Sequence, residues 1–276
     1  MQLDNKRSTG GYLQLELRET EHFHKEALRL NSGRNCLEYI LLARKYQKVY
    51  IPYYTCNVVL EPFVRQGIRY EFYPIDEKFD PINILTLHPG EGFLYTNYFG
   101  LRQKTTEILA KIYGNQLIID NSQAFYAKRL ARIDTFYSAR KFFGVPDGAY
   151  LYTDAELDME LPQAVSWNRM AHLLKRIDLS AEDGYDDFRE NDNSLCNQPI
   201  LKMSKLTDTL LKSIDYKQIK EKRLQNFFYL DSCLKTENEL SFYLSDETVP
   251  LVYPFLHEKK INLKQTLIDN KIYVAT

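Results

Sequence analysis

The sequence lacks most of the patterns that announce a function outright. Its 276 residues contain no apolar run near the length of a bilayer span, so no membrane helix is expected. Met1-Gln2-Leu3-Asp4-Asn5-Lys6-Arg7 leads into no apolar stretch and does not read as a secretory signal. Only four cysteines occur, Cys36, Cys56, Cys196 and Cys233, without a CxxC pair, which argues against a disulfide framework or a zinc site. Cys36 and Cys56 lie among apolar residues and are expected to be buried. Basic and acidic residues number 36 and 37, and a net charge of −1 offers no electrostatic case for nucleic acid or an anionic membrane. Neither GxGxxG nor GxxxxGK[ST] occurs, so the usual nucleotide-binding loops lose support. The cytoplasm is the expected compartment.

What the chain does have is aromatic bulk, 21 Tyr and 15 Phe, best read as core filling with tyrosine hydroxyls finding partners at its edge. Helical and strand patterns alternate through the first half. Helices are expected at 33–46, with Asn31 or Ser32 as N-cap, at 54–66, kinked or shortened by Pro62, and at 104–113. Strands are expected at 48–51, 69–73, 93–96, 116–119, 133–137 and 149–152. This alternation predicts an α/β fold with a mainly parallel sheet flanked by helices. Beyond about residue 160, helices are expected at 164–177 and 200–230 with a polar segment between them, a loop or an inter-domain connection. Strands at 249–253 and 272–275 and a helix near 262–270 suggest the start of an incomplete small C-terminal α/β domain. The division is therefore an N-terminal arm at 1–24, a large domain at 25–180, and connecting helices with a partial small domain at 181–276.

Two strand patterns end in a charge. Asp120 follows Gln116-Leu117-Ile118-Ile119, and Lys141 follows Ile133-Asp134-Thr135-Phe136-Tyr137 by a few residues. In parallel sheets, ligands sit at the carboxyl ends of strands. A carboxylate and an amine delivered there suit pyridoxal 5'-phosphate (PLP), the amine as Schiff-base partner and the carboxylate at the ring nitrogen. Taken singly, Asp120 could equally bind Mg²⁺, cap a helix or join a salt bridge, and Lys141 could be a solvated surface charge. Phe142 and Phe143, followed by Gly144-Val145-Pro146-Asp147-Gly148, give the amine partly apolar surroundings and a rigid turn. Asn31-Ser32-Gly33-Arg34-Asn35 opens a helix whose free amides and dipole suit a phosphate, or it is a plain N-cap.

In that chain order these elements resemble the fold-type-I PLP enzymes, in particular the sugar aminotransferases of DegT/DnrJ/StrS type. Ser32-Gly33-Arg34-Asn35-Cys36-Leu37 is similar to that family's phosphate-binding segment, and Ile51-Pro52-Tyr53-Tyr54-Thr55-Cys56 to its aromatic turn over the ring. Tyr95-Thr96-Asn97-Tyr98-Phe99-Gly100 is similar to its glycine turn beneath the cofactor. Asp120-Asn121-Ser122-Gln123-Ala124 matches an Asp-x-x-Gln-Ala element, and Lys141 with Asp147-Gly148 matches the cofactor lysine and its acidic-Gly turn. The resemblance implies catalytic Lys141 and Asp120, with cofactor contacts from Ser32, Gly33, Arg34, Tyr54, Gln123 and Ser138. It also implies glutamate as amino donor, a nucleotide-linked keto-sugar as acceptor, and a homodimer with a shared active site.

The sequence departs from that pattern in places. Phe136 stands where a phosphate-contacting serine is usual, Cys56 where an aromatic ring is usual, and Gly148-Ala149 replaces Gly-Gly. Family members also continue well beyond Thr276 to complete a closing domain. Two other readings stand beside it: a PLP-binding but non-catalytic or truncated relative with a regulatory or structural role, and an α/β binding or phosphoryl-transfer domain with Mg²⁺ on Asp120. His22 and His24 lack a third ligand, so no metal is expected. His88 could reach the site from its loop, and Arg169 could bind an anion.

Overall fold

In a computed structural model the protein is described at residues 10–245, 247–257 and 262–274. Part of the N-terminal arm and Ala275 of the last expected strand lie outside the described residues. Among the described residues the central sheet has seven strands: β1 (Leu28–Leu30), β2 (Lys48–Pro52), β3 (Arg69–Tyr73), β4 (Glu91–Thr96), β5 (Leu117–Asn121), β6 (Asp134–Ser138) and β7 (Ala149–Tyr152). Their spatial order is β1-β7-β6-β5-β4-β2-β3. From β3 through to β6 every pairing is parallel, while β7 runs antiparallel to both β6 and β1. The α/β fold with a mainly parallel sheet is as the sequence predicts; β1 is an addition.

Eight α-helices accompany the sheet among the described residues: α1 (Gly33–Ala43), α2 (Glu61–Gln66), α3 (Gln103–Tyr113), α4 (Ala171–Asp178), α5 (Tyr185–Ser194), α6 (Lys205–Lys212), α7 (Tyr216–Leu234) and α8 (Leu263–Asp269). Ser32 caps α1, its hydroxyl accepting from the Asn35 amide at 3.2 Å. Cys36, Leu37, Ile40 and Leu41 of α1 pack on Leu94, Ile118, Phe136 and Leu151 from four adjacent strands. Even the polar side chains of α1 are buried, so each needs a partner. Arg34 donates to Glu61 at 2.9 Å, Glu38 pairs with Arg65, and Asn35 accepts from the Leu201 amide at 3.3 Å. The opposite face carries Phe93, Tyr95, Leu117 and Ile119.

Several expectations fail here. The polar segment after residue 180 is not a loop but contains α5, whose Asp186 and Asp187 sit in the first turn, where the helix dipole favours them. Tyr185 stacks on Phe188, and Lys175 of α4 pairs with Asp187 at 2.7 Å, contacts that a local reading does not see. The stretch 249–253 is no strand. Its Pro250 carries no amide hydrogen, and Leu251 instead donates to the Phe99 carbonyl at 2.8 Å, tying the segment to the turn after β4. Residues 272–274 form no strand either. Cys56 is exposed, whereas Cys36 is buried. No helix of the described residues is long and apolar enough to cross a membrane.

Candidate active site

Strand register puts Thr96, Asp120, Phe136 and Leu151 in one row across β4, β5, β6 and β7, on the face that carries α1. Asp120 therefore stands at the carboxyl end of β5, beneath the start of α1, and is only 6% exposed. Its Oδ1 accepts from the Ser122 amide at 2.7 Å. Burial pushes the Asp120 carboxyl above the ordinary carboxylate range; the nearby Lys141 ammonium and the Ser122 hydrogen bonds pull against that. Cys36 of α1 and Tyr98 of the turn after β4 lie close enough to feel the Asp120 charge, although burial is the main cause of their own upward shifts.

Lys141 lies just beyond the end of β6, the neighbouring parallel strand. The Phe142 and Phe143 amides both donate to the Ala139 carbonyl, at 3.0 and 2.9 Å, closing a single helical turn. The two phenyl rings drop into a buried cluster with Phe125, Tyr126 and Tyr150. Lys141 itself is exposed and does not share their apolar surroundings. The rings anchor the turn, and the Lys141 charge is near enough to act on the Asp120 carboxyl.

The start of α1 completes the arrangement. Asn35 N–H is taken by the Ser32 hydroxyl and Cys36 N–H by the Ser32 carbonyl, leaving the Gly33 and Arg34 amides as first-turn donors outside the helix ladder. A Cβ on Gly33 would lie 3.5 Å from Ser122 Oγ and 3.6 Å from the Phe136 ring, filling the space between helix start and strand ends. Glycine thus keeps the backbone open for a close-approaching group.

The expected residues fall into two sets. Asp120, Lys141 and the backbone of Gly33 converge, with Ser138 ending β6 beside them. The side chains of Ser32 and Arg34 are committed to the helix cap and to Glu61. Gln123 Oε1 accepts from the Phe99 amide at 2.9 Å, so that side chain braces the turn after β4. Tyr54, half exposed, stacks on Tyr98 with ring centroids 5.7 Å apart, and the Tyr98 hydroxyl donates to the Tyr54 carbonyl at 2.8 Å. His88 is at the opposite end of the sheet, where its amide donates to Glu91 at the start of β4. Arg169 is engaged by Asp147 at 2.8 Å. His22 and His24 bond Tyr150 and Tyr152. Ser122 and Cys36 are neighbours of Asp120 that the sequence places inside the matching segments without giving either a role.

No protein-family model matches the sequence, and no curated protein matches it. The fold does have solved counterparts. The sugar aminotransferase CalS13 from Micromonospora echinospora aligns with a TM-score of 0.54 at 12% identity, over 90% of this chain and 72% of that one. The putative sugar aminotransferase Spr1654 from Streptococcus pneumoniae, in its PMP form, gives 0.55 at 13% identity, over 89% and 69%. NtdA from Bacillus subtilis with bound cofactor PMP gives 0.55 at 15% identity, over 82% and 53%. The chain has the fold of the fold-type-I PLP-dependent aminotransferases. Its likeness is to sugar aminotransferases of DegT/DnrJ/EryC1/StrS type.

Proposed function

We propose that the protein is a PLP-dependent aminotransferase that moves an amino group from glutamate to a keto-sugar carried on a nucleotide. The observation that carries this reading is the meeting of Asp120 and Lys141 at the ends of adjacent parallel strands, beside the free amides of α1. The residues present suit the cofactor. Gly33 leaves room at the helix start, and the buried Asp120 carboxyl gains an ion-pair partner from a protonated ring nitrogen.

Bound PLP supplies an electron-withdrawing ring that stabilises negative charge at the substrate carbon. The Gly33 and Arg34 amides would hold its phosphate, with Ser138 as an added hydroxyl, and Asp120 would keep the ring nitrogen protonated. The Lys141 amine would be the group that meets the cofactor aldehyde, and the same amine would serve as the base and acid that moves a proton at the substrate carbon. Tyr54 on Tyr98 forms an aromatic wall at the same end of the sheet. The reading includes a cytoplasmic homodimer with a shared active site, which sedimentation of the purified protein tests for assembly.

The deciding experiment is an absorption spectrum with added PLP. Wild type should develop a visible band that Lys141→Ala lacks; no band in wild type would overturn the reading. Glutamate should then bleach that band, and addition of a keto-sugar nucleotide should restore it. A band indifferent to glutamate would remove glutamate as the amino donor, and one indifferent to every amino donor would make the protein a cofactor binder without transferase activity.

A further inference from the structure

The turn that follows Lys141 is gripped more firmly than a surface connection needs. Asp147 is fully buried and its carboxylate meets three donors: Arg169 Nη2 at 2.8 Å, the Ser204 hydroxyl at 3.1 Å and the Ser204 amide at 3.3 Å. Arg169 spends its other terminal nitrogen on Asn191 Oδ1 at 3.1 Å, and Asn191 Nδ2 returns to the Pro146 carbonyl at 3.0 Å. Residues from before α4, from α5 and from the cap of α6 therefore close around Pro146-Asp147-Gly148.

The consequence lies one residue further on. The Gly148 amide donates to the Asn31 carbonyl at 2.6 Å, and the Gly148 carbonyl accepts from the Ala139 amide at 3.0 Å. Asn31 precedes the cap of α1, and Ala139 begins the turn that carries Lys141. A single residue thus links the helix start to the lysine turn, and Asp147 fixes that residue. A buried ion pair is a costly way to gain stability alone, because desolvation offsets much of the attraction. A guanidinium fork does, however, set direction as well as distance.

We propose that the Asp147–Arg169 pair is a positioning device that sets where Lys141 stands relative to the Gly33 and Arg34 amides. It couples cofactor binding through phosphate to bond formation at the lysine, and to that extent rests on the function proposed above. Neither side chain is a catalytic residue; both act through Gly148.

The test compares two ligands that share a phosphate and ring nitrogen: PLP, and 4-deoxypyridoxine 5'-phosphate, which has no aldehyde for Lys141. Arg169→Met and Asp147→Asn should bind the deoxy compound within about twofold of wild type. Their PLP affinity should fall tenfold or more, and the pH midpoint of the visible band should move. Arg169→Lys, which keeps charge but not the fork, should recover part of the PLP affinity. Equal loss for both ligands would reduce the pair to fold stability, and unchanged PLP affinity with an unmoved midpoint would overturn the proposal. Hydrogen exchange of the cofactor-free protein gives an independent reading: the Ala139 and Gly148 amides should exchange faster in Arg169→Met while those of β4 and β5 do not. If wild type binds neither ligand, the proposed function fails, and exchange decides the clamp alone, unchanged rates at Ala139 and Gly148 sinking it.

Discussion

The Gly148 amide and the Asn31 carbonyl meet at 2.6 Å, so the loop bearing Lys141 and the segment opening α1 are fastened backbone to backbone. This contact places strict demands on residue 148. Its φ is +112°, and an added Cβ would stand 2.9 Å from Thr207 Cγ2. Gly148→Ala should cost about 1–3 kcal/mol in urea unfolding from backbone strain, with the steric clash adding to it. Combining it with Thr207→Ala should relieve the clash but not the strain, so recovery would be incomplete. Full recovery in the double variant would show that sterics alone require the glycine.

Asp120 should trade stability for cofactor binding. Its folded carboxyl titrates above the unfolded value because burial disfavours the charge. The native state therefore holds a proton that the unfolded chain has lost, and stability falls as pH rises from the ordinary carboxylate range through the raised folded value. In Asp120→Asn that part of the pH slope should vanish, leaving the cofactor-free protein at least as stable as wild type at pH 7. The same variant should bind PLP roughly ten- to a hundredfold more weakly, as expected for loss of a charge-assisted hydrogen bond worth about 1.5–3 kcal/mol. Urea titrations at several pH values and a PLP titration read the two effects separately.

The placement of Asp120 and Lys141 at the ends of adjacent strands is legible in the sequence because its signals are local: an apolar strand that stops at a charge, twice, in a parallel sheet. Gly33 was legible for the same reason, through the cap beside it. Side chains whose partners come from distant segments were not. Arg34 looks available until Glu61 of α2 is brought against it, and Gln123 until the turn at Phe99 folds back. Nothing in Tyr185-Asp186-Asp187-Phe188 shows that α5 will form, since its support comes from Lys175 and from the Asn191 contact with Pro146. Val249-Pro250-Leu251-Val252-Tyr253 has strand composition but finds no sheet edge, and becomes a strap on Phe99 instead.

Acid should loosen the N-terminal segment before the sheet. His24 is buried, its Nε2–H donating to the Phe125 carbonyl at 2.9 Å and its Nδ1 facing the Tyr152 hydroxyl at 3.3 Å. Burial lowers its pKa to about 4, with the neighbouring His22 adding a small push the same way. The unfolded chain takes up a proton near pH 6.5 that the folded chain refuses until about pH 4, so stability declines as pH falls across that window. The loss from this group reaches roughly 3 kcal/mol at the lower end. His24→Gln keeps a donor for Phe125 and removes the titration. Its urea midpoint should change less between pH 7 and pH 4.5 than that of wild type, and an identical change would clear His24 of the effect.

Asp134 separates damage to the fold from damage to the site. It is the first residue of β6, at the strand end opposite Lys141, and its side chain is 1% exposed. Arg44 grips it with two hydrogen bonds, Nε to Oδ2 at 2.8 Å and Nη2 to Oδ1 at 2.9 Å. Asp134→Ala leaves the guanidinium with Asp154 alone, a residue 62% exposed whose attraction is largely screened by solvent. Because the Arg44 left behind is partly exposed, loss of these two charge-assisted hydrogen bonds should cost about 1.5–3 kcal/mol in urea unfolding. Asp134→Asn, which retains an acceptor for Arg44, should cost less. Because neither change reaches the carboxyl ends of the strands, PLP affinity of the folded protein should remain within about twofold of wild type. A tenfold weakening in Asp134→Asn would mean that strain passes along β6 to the lysine turn, and that the two ends of the strand are not independent.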